Sequence, residues 1–325
     1  MKKKDFLFSV IVVAVGTMLL FFLAEAFLRV QPYRTFGTAQ EFWWIRNNKE
    51  HDYRKMYVVD PDFGFRPVLG NEFYNIYGTR VNNYSIDKKP GVMRLLFIGD
   101  SVTERGHIID GLRTMYGDAG IEYWNAGVGS FDTVQEVNFY KKYNAAIQPD
   151  QVILTFHLND FMGTPVAFFN KEGRLVVFGP YVPLTRVNRF LFKNSMVYRA
   201  CLGIVLRENK EERKEMENAV KKNLAELRDI LARDHIPLTV LISPTCLPYD
   251  QWDTNDKMRH RTIIAMLNNL GIRYFDLANV LPAAQKDGIT LYENDIWHPS
   301  KELGVYCGRY LYREGLLEKK RVVTE

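Results

Sequence analysis

The stretch Arg94-Leu95-Leu96-Phe97-Ile98-Gly99-Asp100-Ser101-Val102-Thr103 joins an apolar run to a Gly-Asp-Ser turn. An apolar run this short that stops at a glycine predicts a buried strand meeting a turn. The serine beyond it suits the start of a helix. Outward from this point the pattern recurs. Apolar runs at residues 94–98, 122–125, 151–156, 238–242 and 272–275 predict strands. The clearest helix is Lys210–Arg233, where Val220, Leu224, Leu227, Ile230 and Leu231 recur at helical spacing amid charged residues, a buried stripe under a solvated face. A second, over residues 256–270, ends at Gly271, a good C-cap residue. Strands alternating with helices predict an α/β fold, a doubly wound parallel sheet of about five strands with helices on both faces.

Open sheets of this kind bind ligands beyond the carboxyl ends of their strands. Ser101 stands there after the first strand, and reads as a nucleophile or simply as a helix N-cap. The second strand runs into Trp124-Asn125-Ala126-Gly127-Val128-Gly129-Ser130-Phe131-Asp132-Thr133. Its glycines allow a tight turn that aims backbone amides into a site, and also suit an ordinary strand-to-helix loop. The third strand ends in Phe156-His157-Leu158-Asn159-Asp160, with an amide side chain at the same edge. Near the C-terminus comes Asp295-Ile296-Trp297-His298-Pro299-Ser300. Asp and His three apart on a bent loop can share a hydrogen bond that orients the imidazole, as a general base activating a serine requires.

Taken in this order, the blocks resemble those of the SGNH hydrolases, the GDSL-like esterases and lipases. The matching positions are Gly99-Asp100-Ser101, residues 125–133, Asn159-Asp160, and Asp295 with His298, and the resemblance spans about residues 92–315. It implies a flavodoxin-like doubly wound fold. It also implies Ser101 as nucleophile, His298 as general base and Asp295 as the group that orients it. The Ser101 amide, a second-block amide and the Asn159 side chain would form the oxyanion hole. Where the family carries its second-block glycine this chain has Ser130, preceded by Gly129, so both amides are candidates. No metal or cofactor is implied. The activity implied is a serine esterase removing acyl groups, acetyl foremost, from an extracytoplasmic glycan or lipid through an acyl-enzyme. An O-acyltransferase modifying a cell-surface or secreted polysaccharide, beside a membrane acyl-donor protein, is the alternative. A non-catalytic carbohydrate-binding module ranks third, because Ser101, Asn159, Asp295 and His298 are all present.

The chain has 325 residues, 47% hydrophobic and 25% charged, the balance of a globular protein with a substantial core. A formal charge of +5 without a basic, aromatic-interleaved stripe argues against nucleic-acid binding. Lys2, Lys3 and Lys4 precede an uncharged apolar run over residues 6–24. A membrane span needs roughly 20 apolar residues. Residues 1–28 are therefore expected to be a single-pass membrane anchor with the lysines cytoplasmic and the rest periplasmic or at the cell surface. A cleaved leader competes, since Ala24-Glu25-Ala26 has small-residue spacing, but leader cores usually run only about 7–15 residues. Residues 29–92 read as a membrane-proximal lead-in with Trp43, Trp44 and a turn-like stretch at 60–67. Residues 93–325 form the catalytic domain, with an irregular insertion at about 163–208. Cys201, Cys246 and Cys307 fit no disulfide framework or zinc pair and read as buried thiols. His51, His107, His235 and His260 lack metal-ligand spacing, His157 reads as a pocket or structural residue, and Asp100 as a brace for the nucleophile loop.

Overall fold

The computed structural model describes residues 3–30, 53–161, 166–169, 175–178, 190–191, 194–205 and 210–317. Trp43, Trp44, His51 and much of the 163–208 stretch lie outside them. The chain divides into two compact units. One comprises Met1–Phe65 with Thr164–Glu212, the other Arg66–Gly163 with Arg213–Glu325.

In the first unit a single helix runs over Lys3–Val30. Its segment Phe8–Arg29 is long and apolar enough to cross a membrane, with mean hydropathy 2.4 and none of it buried. Near its end Glu25 caps the helix Met196–Val205. The Glu25 carboxylate accepts from the Met196 and Val197 amides at 2.8 and 3.0 Å and from the Ser195 hydroxyl at 3.0 Å. Arg29 bridges Glu25 at 2.6 Å and donates to the Asn194 carbonyl at 2.7 Å. Strands Tyr57–Asp60 and Gly64–Pro67 pair, so the 60–67 stretch holds a strand as well as a turn. The turn itself is closed by Asp60 accepting from the Asp62 amide at 2.8 Å. Cys201 is exposed, contrary to the expectation that all three thiols are buried. Among the described side chains of its helix the buried ones, Met196 and Arg199, are three apart on one face, and Cys201 falls on the opposite side.

The second unit carries the sheet. Its elements in chain order are β1 (Met93–Gly99), α1 (Ser101–Arg105), α2 (His107–Tyr116), β2 (Ile121–Gly127), α3 (Thr133–Lys142), β3 (Gln151–His157), α4 (Lys210–Arg233), β4 (Leu238–Ser243), α5 (Thr254–Leu270), β5 (Arg273–Asp276), α6 (Leu281–Lys286) and α7 (Lys301–Arg313). The strands are all parallel, in the order β2-β1-β3-β4-β5. That is the doubly wound order expected, with its switch point beside β1.

Strand alternation sorts the core into two faces. Leu95 and Phe97 look toward α2, α6 and α7, and pack with Ile108, Leu112, Leu281 and Leu303. Leu96 and Ile98 look the other way, toward α3, α4 and α5, and pack with Val137, Leu224, Leu227 and Ile263. Four of the five predicted stripe residues of α4 are fully buried, and Ile230 lies at the edge of the same cluster. Each such side chain contributes about 1.5–3 kcal/mol of burial free energy. Helices α2 and α7 meet backbone to backbone. A methyl group at Gly304 would stand 2.5 Å from the His107 carbonyl oxygen, and one at Gly308 would stand 2.6 Å from Gly111 Cα. Glycines allow this approach, and it sets how near the segments leading into the two helices come to each other.

Candidate active site

Sheet register brings the blocks to one edge. Gly99 pairs with Gly127 on one side and with Thr155 on the other. Neighbouring strands lie about 4.8 Å apart. Ser101, Gly129 and His157 therefore each stand two residues beyond that shared row, with Asn159 two further on. Helix α1 settles directly on the end of β2, where Gly127 is required because a Cβ there would overlap the Glu104 amide and the Thr103 carbonyl carbon.

Asp100 caps α1, accepting from the Val102 amide at 2.9 Å. Ser101 is thus the first residue of the helix and not its cap. Its hydroxyl lies 2.8 Å from His298 Nε2 and 3.5 Å from an Asp100 carboxylate oxygen. The shorter contact takes the hydroxyl proton, because hydrogen bonds weaken steeply toward 3.5 Å. On the other side of the ring, His298 Nδ1 donates to Asp295 Oδ1 at 2.6 Å. The Asp295 oxygen also accepts from the Trp297 and His298 amides at 3.0 and 3.1 Å, so the loop holds its carboxylate rigidly. A short contact from the Cys246 amide to the Ile296 carbonyl, 2.6 Å, ties this loop to the segment after β4. Arg105 approaches the second Asp295 oxygen at 3.5 Å.

The donors opposite the serine are ordered too. Val128 to Phe131 form a turn closed by the Phe131 amide donating to the Val128 carbonyl at 3.1 Å. Ser130 occupies its third position with φ 63°, the left-handed conformation that glycine adopts most readily. This matches the place where the resemblance puts a glycine. The Gly129 amide donates to Glu104 Oε2 at 3.1 Å. Asn159 presents its carbonyl oxygen to His157 Nδ1 at 2.8 Å, leaving its amide nitrogen as the donor facing away. The longer 3.4 Å contact from the Asn159 backbone amide to the same nitrogen is incompatible with a protonated Nδ1, and the 2.8 Å bond decides the tautomer.

Burial, and next the Arg105 guanidinium, lower the His298 pKa, with the Asp295 hydrogen bond opposing them. The ring therefore rests neutral near pH 7, as a proton acceptor must. Behind the edge lies a group of buried carboxyls. Burial raises Asp132 to about 7. Glu136 is held well above the usual carboxylate range by burial and then by Asp100 and Asp132. Asp160 is raised by burial and then by Glu136 and Asp100. Among the described residues neither Glu136 carboxyl oxygen has a protein partner.

Of the residues singled out from sequence, Ser101, Asp295 and His298 come together directly, and Gly129, Ser130 and Asn159 share the same sheet edge. His157 is buried and serves Asn159, while His260 bonds Asp276 at 3.0 Å at the end of the edge strand β5. Sequence reasoning missed Glu104 and Arg105. They stand three and four residues after Ser101, a spacing that puts them on its side of the helix. It also missed Tyr74 and Glu136, which carry no local signal. Among the described residues no cluster of His, Cys, Asp and Glu is arranged to hold a metal ion.

We find no match among protein-family models and none among curated proteins. Solved structures to which the chain is similar include a catalytic mutant of Axe2, an acetylxylan esterase from Geobacillus stearothermophilus, at 16% identity, covering 70% of this chain and 96% of that one with TM-score 0.44. A lipolytic protein of the G-D-S-L family from Desulfitobacterium hafniense is 17% identical over 68% of this chain and 98% of its own, with TM-score 0.42. The acetyl xylan esterase AlAXEase is 12% identical over 68% and 99%, with TM-score 0.44.

Proposed function

We propose that the sheet-bearing unit is a serine ester hydrolase that removes acyl groups, acetyl foremost, from an extracytoplasmic glycan or lipid. The observation that carries this reading is the unbroken chain from the Ser101 hydroxyl through His298 to Asp295, at 2.8 and 2.6 Å. A neutral hydroxyl is a poor nucleophile, so His298 Nε2 takes the Ser101 proton as Oγ bonds to the ester carbonyl carbon. The carbonyl π pair moves to oxygen, where the amides of Ser101 and Ser130 and the Asn159 side chain stabilise it. Removing one such donor typically costs about 2.7–4 kcal/mol. Collapse expels the alcohol, which takes the proton back from His298 and leaves an acyl-enzyme. A water then repeats the sequence and frees the acid. An apolar helix preceded by Lys2–Lys4 supports a membrane-anchored protein whose sheet-bearing unit acts outside the cytoplasm.

The test uses the full chain in detergent with aryl acetate and aryl octanoate, with and without an oligosaccharide acceptor, beside Ser101→Ala. Release that vanishes in Ser101→Ala supports the nucleophile, and a high acetate-to-octanoate ratio supports deacetylation. Acylated acceptor as the main product replaces hydrolysis with transfer. Equal release by Ser101→Ala and wild type overturns the reading.

A further inference from the structure

In a four-residue turn only the last amide is used by the turn itself, and the two central amides face outward. In the turn Val128 to Phe131 those are the amides of Gly129 and Ser130. Glu104 Oε2 takes the Gly129 amide at 3.1 Å. That leaves the Ser130 amide for a ligand. Glu104 is itself held at its other oxygen. The buried Tyr74 hydroxyl donates to Oε1 at 2.5 Å, and the Arg80 guanidinium stands 3.8 Å from the same atom and 5.1 Å from the centre of the Tyr74 ring. Tyr74 also lies 3.3 Å from the Gly127 carbonyl, a weaker alternative for the same proton. The segment bearing both residues is fastened to the end of β2, where the Arg80 amide donates to the Asn125 carbonyl at 2.7 Å. Since Glu104 sits one turn after Ser101 on α1, one short helix presents the nucleophile and also grips the turn opposite it.

Resting on the esterase reading above, we propose that Glu104 is a positioning residue. It holds the second-block turn so that the Ser130 amide, and not that of Gly129, faces the oxyanion, and Tyr74 sets the Glu104 carboxylate. The role needs an acceptor toward Gly129. Glutamine can provide one while donating toward the Tyr74 oxygen, whereas alanine provides none. The charge on Glu104 is then dispensable and its reach is not.

The experiment compares wild type, Glu104→Ala, Glu104→Gln and Tyr74→Phe as full chains. It measures kcat and KM on an aryl acetate across pH, and the hydrogen exchange of the Gly129 amide. We expect Glu104→Ala to lower kcat by about tenfold to a hundredfold, less than removal of a whole oxyanion donor because the Ser130 amide is displaced and not lost, with KM changed less than about twofold. The acid limb of the pH profile should not move, because His298 and Asp295 are untouched. Glu104→Gln should recover kcat to within about fivefold of wild type, and Tyr74→Phe should fall between. Gly129 exchange should be slow in wild type and in Glu104→Gln, and fast in Glu104→Ala. A Glu104→Ala enzyme with kcat within twofold of wild type overturns the proposal, as does Gly129 exchange unchanged by that substitution. Loss of Ser101-dependent turnover in wild type would overturn the esterase reading instead. The exchange measurement judges the Glu104 contact whether or not turnover is seen.

Discussion

Gly304→Ala tests whether the α2–α7 contact sets the distance between Ser101 and His298. The new methyl carbon would lie 2.5 Å from the His107 carbonyl oxygen and 2.6 Å from its carbon, where ordinary contact begins near 3.4 Å. Both partners are backbone, so the helices must part by about 0.9 Å. Helix α7 begins three residues after His298, and α2 begins six after Ser101. A shift of that size along the Ser101–His298 line would stretch the 2.8 Å contact past hydrogen-bonding range. Misplacement by about 1 Å costs on the order of a hundredfold in rate. For stability, replacing glycine inside a helix contributes about 1 kcal/mol, while overpacking costs about 1–3 kcal/mol. The net is therefore a loss of roughly 0–2 kcal/mol by the same two terms. Urea unfolding gives the stability change and aryl-acetate turnover gives kcat. A Gly304→Ala protein more stable by about 1 kcal/mol with unchanged kcat, the result for an exposed helix glycine, would refute this role of the contact.

Other expectations follow from the electrostatics. Arg105 helps lower the His298 pKa. Arg105→Gln should therefore raise it and move the acid limb of the kcat/KM profile to higher pH, and a limb that stays or moves down would contradict the assignment. Glu136 has its pKa raised by burial, so the folded state keeps a proton that the unfolded chain releases as pH rises above the ordinary carboxylate value. Its contribution to stability is therefore lost with rising pH, and Glu136→Gln, which has no proton to release, should gain on wild type between pH 5 and pH 8. A stability difference that does not change with pH in urea titrations would count against it. Asp295→Asn should slow turnover less than His298→Ala, because it weakens the orientation of a base that is still present.

The blocks at residues 99–101, 125–133 and 159–160 were legible because each sits where an apolar run ends, and the one at 295–298 because its Asp and His stand three apart. The strands and the two main helices were equally legible, since period-two and period-3.6 burial is written in consecutive residues. The ambiguity between Gly129 and Ser130 was not resolvable there. Both are plausible turn residues, and the proposed choice of Ser130 rests on the φ of 63° there and the bond from Gly129 to Glu104. The exposure of Cys201 was hidden for a similar reason, because composition says nothing of which face of a helix finds a neighbour.

The amino-acid sequence was enough for the strands and main helices of the large sheet, its parallel doubly wound class and the residue types at its edge, but not for the strand pair at 57–67. The distances at which those residues meet, and the partners no block announced, came from the tertiary structure. Ser101 and His298 are 197 positions apart, Glu104 and Gly129 are 25 apart, and Tyr74 reaches Glu104 across 30. Local propensity cannot encode such pairings. They depend on how closely helices pack, here on glycines that let α2 meet α7 and α1 settle on β2. Burial in turn shifts the proton affinities of His298, Glu136 and Asp160, and burial exists only once the two faces of the sheet are covered.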